Sequence, residues 1–287
     1  MMITMKYFIA MILGGVLLAL TGCLAPPVDT NVLSGSIYWH GEVHVHGEMI
    51  IAPNAVLTIA PGTRVVFEPH SEPLTGTRKP HELRGSRMLV HGKIVAHGTP
   101  QKPIVFMAAD PDAQPGSWGG IKIQDARSAS FSYCEFSQAT NALHSCRSWV
   151  SVEYSRFQNN KVAILFHDTE MLIERNLFRE NGTAIYFLSG SPVICENKMT
   201  ENDQGLVIAD ASGRYRIANN SFIDNRAYNV GLGERVRNTV DLRENYWGTT
   251  DASRVENKLF DGRHSLWSGQ IVYRPMRSTP VKAPGLR

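Results

Sequence analysis

A repeat of about 21 residues limits what this chain can fold into more than any other feature. Phe136, Phe157, Phe178 and Met199 stand 21 residues apart, and Phe222 and Trp247 follow after 23 and 25. Five residues before each anchor is another apolar residue: Phe131, Val152, Ile173, Ile194, Ile217 and Leu242. Two before it the column reads Cys134, Ser155, Asn176, Asn197, Asn220 and Asn245. Three after it come Asn160, Asn181, Asn202 and Asn225, and seven after it Leu143, Ile164, Ile185 and Leu206. Such self-similarity is the signature of a solenoid with one unit per coil. Asn, Gly and β-branched residues dominate and no 3.6-residue stripe persists, which excludes helical pairs. Short strands stacked at about 4.8 Å per coil pair like with like in parallel and bury their inward side chains. Asn176, Asn197, Asn220 and Asn245 then form a structural ladder, amide to amide. The predicted fold is an all-β parallel β-helix.

Upstream the period loosens, but strand-like pairs continue through Val43/Val45, Leu57/Ile59, Val65/Phe67, Ile94/Val95 and Ile104/Phe106, with Gly, Pro and Asn turns between them. Residues 54–63 (NAVLTIAPGT), 97–104 (HGTPQKPI) and 116–121 (GSWGGI) resemble coils of bacterial right-handed parallel β-helix repeat proteins of the pectin-lyase-like superfamily. Asn245-Tyr-Trp-Gly248 and the following Thr249–Ser253 look like the closing segment of the same proteins. The resemblance implies a right-handed solenoid over residues 37–274. It does not imply an activity, because the superfamily holds lyases, hydrolases, epimerases, adhesins and proteins without known chemistry. Residues 69–87 break the strand pattern and read as a projecting loop, and 275–287 as a C-terminal tail. In 251–261, Val255 and Leu259 stand four apart behind Ser253, the spacing of a short amphipathic helix near the C-terminal end.

The N-terminus carries an address. Residues 8–20 are an apolar run too short to span a bilayer but suited to a signal peptide over 1–22. Leu20-Thr21-Gly22-Cys23 resembles the bacterial lipobox, which implies cleavage before Cys23, its lipidation (palmitate among the chains), and a lipidated tether over 23–36. More than one acyl chain gives stable anchoring. Leu24, where an Asp would imply inner-membrane retention, favours the outer membrane.

Lys+Arg 29 against Asp+Glu 26 is too balanced for a nucleic-acid binder. The superfamily's polysaccharide-splitting enzymes use clustered aspartates, or calcium with a basic residue. The Asp-Asp, Gly-His-Gly and Arg-Ile-Lys strings of its polygalacturonase-like hydrolases do not occur. Glu153, Glu174 and Glu196 are interleaved with Arg156, Arg175 and Arg179, the pattern of a solvated, charge-balanced face. Catalytic residues are therefore unknown.

Two groups of side chains draw attention. His44 and His46 alternate with Val43 and Val45, which puts both imidazoles on the outer face, where Glu42 or Glu48 could complete a metal site. Eight residues after the anchors are His144, Leu165, Tyr186 and Val207, and ten after are Cys146 and His167. Beside inward Leu143, Ile164 and Ile185, this neighbouring column faces outward yet is mainly apolar. It reads as an exposed strip: a binding wall, a surface covered by the chain's own loop or tail, or a soft-metal site at His144, Cys146 and His167. Cys134 and Cys195 lie three coils apart and Cys134 and Cys146 on different walls, too far for a disulfide. Three functions follow: non-catalytic binding of a polysaccharide or envelope protein along one wall, a polysaccharide lyase, hydrolase or epimerase, and periplasmic copper or metal handling. No cofactor is firmly implied, and a bound metal ion is the one candidate.

Overall fold

A computed structural model describes residues 31–69, 85–265 and 268–282. The signal segment, Cys23 and most of the 69–87 loop lie outside the described residues. Most coils supply one strand to each of three parallel sheets, named A, B and C, and Val240–Asp241 pairs with Ile271–Val272 in a small fourth sheet near the C-terminal end. In one coil, Ala139–Cys146 lies in sheet A, Trp149–Glu153 in sheet B and Arg156–Gln158 in sheet C. Sheet A holds ten described strands and sheets B and C eight each, all in sequential coil order. The molecule is a right-handed parallel β-helix.

The anchor column runs in register on sheet C, Phe136 beside Phe157, Phe178, Met199 and Phe222. Phe136 stacks on Phe157 at 4.7 Å and Phe157 on Phe178 at 5.0 Å, so a ladder of parallel rings fills the interior. Leu143, Ile164, Ile185 and Leu206 face it from sheet A, and Val152, Ile173 and Ile194 from sheet B.

The corners explain how such short strands bend. At the B-to-C corner Tyr133, Tyr154, Arg175, Glu196, Asn219 and Glu244 all have φ between 48° and 62°. At the C-to-A corner Gln138, Asn159, Glu180, Glu201 and Asp224 have φ between 52° and 65°. A left-handed L-residue costs roughly 1–2 kcal/mol. The residue after each corner repays it. Asn176 donates its side-chain amide to Oδ1 of Asn197 at 3.0 Å, Asn197 to Asn220 at 3.0 Å and Asn220 to Asn245 at 3.1 Å. A second ladder joins Asn160, Asn181, Asn202 and Asn225 at 2.9 Å per step. Each asparagine also bonds backbone groups that the corner would leave unpaired, as in Asn197 Nδ2 to the carbonyl of Ile173 at 2.8 Å.

Several boundaries differ from the expectation. The first coil opens at Asn31–Leu33, which pairs with Glu48–Ile51, so residues 31–36 belong to the solenoid and not to a tether. The helix is only Ala252–Glu256; Asp251 caps it by accepting from the Ser253 and Arg254 amides. Leu259 is not on that helix. It starts the last strand of sheet A beside Val230, where burial outweighs a second helical turn. The described part of the tail is pinned to the B-to-C corner, with the Arg277 guanidinium on Oδ1 of Asn219 at 3.0 Å and the Val281 amide on Oγ of Ser221 at 2.8 Å. It therefore does not lie across sheet A.

Candidate functional site

The strip sits on the outer face of sheet A. Strand pairing aligns Lys122, His144, Leu165, Tyr186 and Val207, one per coil. The same row continues upstream through Leu89, Ile50 and Val32, so it runs most of the sheet's length. One row over, Cys146 pairs with His167, and the His144 and His167 rings lie 6.0 Å apart.

The row faces outward but is not the open strip that the spacing predicts. His144, Leu165, Tyr186 and His167 are half-buried and Cys146 is only 4% exposed. Coils at 4.8 Å let each side chain cover its neighbour above and below. Burial, with the charges of Lys122 and His167, holds the His144 imidazole down to about pKa 4, and burial pushes the Cys146 thiol up. Both are uncharged at neutral pH. Cys134, Cys146 and Cys195 are free thiols.

Past Tyr186 the strip opens. Tyr186 and Leu188 border a groove of about 370 Å³ completed by Asp210, Glu234 and Arg235. An aromatic face with acids and a guanidinium around it is the equipment of a polar-ligand site. These three charged residues escaped the sequence reading. The available signal was the lengthening of the period to 23 and 25 residues after Met199, which is where extra residues enter the corners.

The other histidine pair is placed differently. His44 and His46 are both exposed. Both nitrogens of His44 face carboxylates, Nδ1 to Glu68 at 2.6 Å and Nε2 to Glu42 at 3.1 Å, and these raise its pKa, Glu68 foremost. Glu42 in turn pairs with Arg64 at 3.2 Å. His46 does not join them.

The family model described as periplasmic copper-binding protein (NosD) matches residues 114–259, just over half of the chain. The chain belongs to the NosD family. A pectate-lyase-like β-helix model matches residues 34–140, so the two together span nearly all coils. No curated protein and no solved structure matches the chain. NosD is a periplasmic family, which agrees with export. Among the described residues no helix is long and apolar enough to cross a membrane.

The NosD family name raises copper, and the donors can be tested against it. His144 is neutral, as a ligand must be, and His167 and Cys146 are its nearest soft neighbours. Yet among the described residues no three His, Cys, Asp or Glu groups form a metal-holding set, and at His44 both ring nitrogens are already taken by Glu68 and Glu42. A resident copper centre does not fit this geometry.

Proposed function

We propose that this NosD-family chain is an exported, non-catalytic solenoid that binds a polysaccharide along the outer wall of sheet A. One observation carries the reading: the groove at Tyr186, where an aromatic ring and three charged side chains border one cavity beside the mainly apolar outer row of sheet A. Tyr186 offers a face to a sugar ring, and Asp210, Glu234 and Arg235 offer hydrogen bonds to its hydroxyls. A glycan array followed by a turnover screen tests it. Binding without cleavage supports it, cleavage products replace it with a polysaccharide-active enzyme, and an empty array with capture of an envelope protein replaces the ligand.

A second reading, carriage of copper as cargo, is favoured by the family match, with His144 and His167, whose rings lie 6.0 Å apart, as its candidate donors. It requires copper bound in stoichiometric amount by the purified protein, lost on His144→Ala with His167→Ala. The proposal also places the chain on the outer membrane through Cys23. Cys23→Ser should abolish palmitate labelling; a labelled variant overturns the lipid anchor.

A further inference from the structure

Sheet B carries a second site on a different wall. A surface cavity of about 630 Å³ is lined by Arg214, Tyr215, Arg216, Asp241, Arg243 and Glu244 at the C-terminal end of that sheet. Tyr215 packs toward the core, and the two arginines flanking it in sequence are exposed. Arg243 is committed to Asp241 through two hydrogen bonds of 2.9 and 2.6 Å, and the Tyr215 hydroxyl accepts from the Asp241 amide at 3.3 Å. Arg214 and Arg216 have no salt-bridge partner among the described residues, and the cavity's second acid, Glu244, acts on Arg243. Three guanidinium groups against two carboxylates, with Arg214 and Arg216 unpaired, make a site for an anion.

The wall above this cavity decides what the anion is attached to. Arg216 lies in register beside Val193, and Val193 beside Leu172. Trp149 stands in the adjacent row, paired with Glu170. Val193 is 37% exposed and Trp149 46%, while Tyr38 and Val56 are exposed on the same face at the far end of the sheet, beyond Lys93, Ser128 and Ser130. Trp149 is three coils from Arg216, about 14 Å at 4.8 Å per step, the reach of a medium hydrocarbon chain. Val and Leu present no ring for a sugar to stack on, but they cover hydrocarbon well.

We infer that sheet B binds an anionic amphiphile, its phosphate or carboxylate head held by Arg214 and Arg216 and its aliphatic chain laid over Val193 and Leu172 toward Trp149. The experiment titrates the purified protein with dioctanoyl phosphatidylglycerol below its micellar concentration, following tryptophan fluorescence and calorimetry. Glycerol 3-phosphate, a neutral alkyl maltoside and trigalacturonate serve as competitors in separate arms. The lipid should bind at least tenfold more tightly than any of the three. R214Q/R216Q should weaken it at least tenfold with an unchanged unfolding temperature, and V193T about threefold. Glycerol 3-phosphate binding as well as the lipid would reduce the site to a simple anion pocket and overturn the inference. So would preference for trigalacturonate, unchanged affinity in R214Q/R216Q, or no lipid binding at all. Loss of this site leaves the Tyr186 groove untouched, so the two readings fail separately.

Discussion

Asn197 donates its side-chain amide to Oδ1 of Asn220 at 3.0 Å, while its own Oδ1 accepts from Nδ2 of Asn176 at 3.0 Å. It also bonds the carbonyls of Ile173 and Cys195. Asn197→Leu removes all of these at a fully buried corner and strands groups on both neighbouring coils. Each stranded group costs about 1–3 kcal/mol, so a loss of at least about 3 kcal/mol is expected in urea unfolding. Glu170→Gln, exposed on sheet B, should stay within about 0.5 kcal/mol.

The corner backbone makes an opposite forecast. Asp224 is exposed with φ 52°. Asp224→Gly relieves a left-handed L-residue and should be neutral or slightly stabilising, whereas Asp224→Val should cost roughly 1–2 kcal/mol. Equal melting temperatures for the two variants would show that the corner tolerates any φ.

Acid should weaken the fold through His144. Its unfolded form takes a proton near pH 6.5, the folded form not until about pH 4. Below pH 6.5 the unfolded chain therefore binds more protons, and stability falls as pH drops toward 4. His144→Asn should flatten this part of the profile, recovering on the order of 1–2 kcal/mol of the drop between pH 7 and 5. Chemical denaturation at the two pH values reads it directly.

The first rungs of the account were legible because they repeat. Phe136, Phe157 and Phe178, and Asn176, Asn197 and Asn220, recur in columns since each packs against its own copy one coil away. The left-handed corners were invisible, because Tyr154, Arg175 and Glu196 share a backbone conformation and no chemistry. Leu259 misled because an apolar residue four after Val255 fits a helix as well as the strand it occupies. The row His144, Leu165, Tyr186 was readable, but its half-burial was not, since cover comes from neighbouring coils. Arg235, Arg214 and Arg216 lie where the period stretches, so no column pointed to them.

The most direct measurement is the affinity of Leu165→Ser/Tyr186→Ser for whichever oligosaccharide the array selects. The half-buried pair contributes a surface to the ligand more than to the core, so near-normal thermal unfolding is expected. Binding should drop at least tenfold, and Arg235→Ala, on the groove's charged side, should weaken it by a smaller factor. An oligosaccharide that binds the double variant with wild-type affinity would contradict a sugar-binding wall on sheet A.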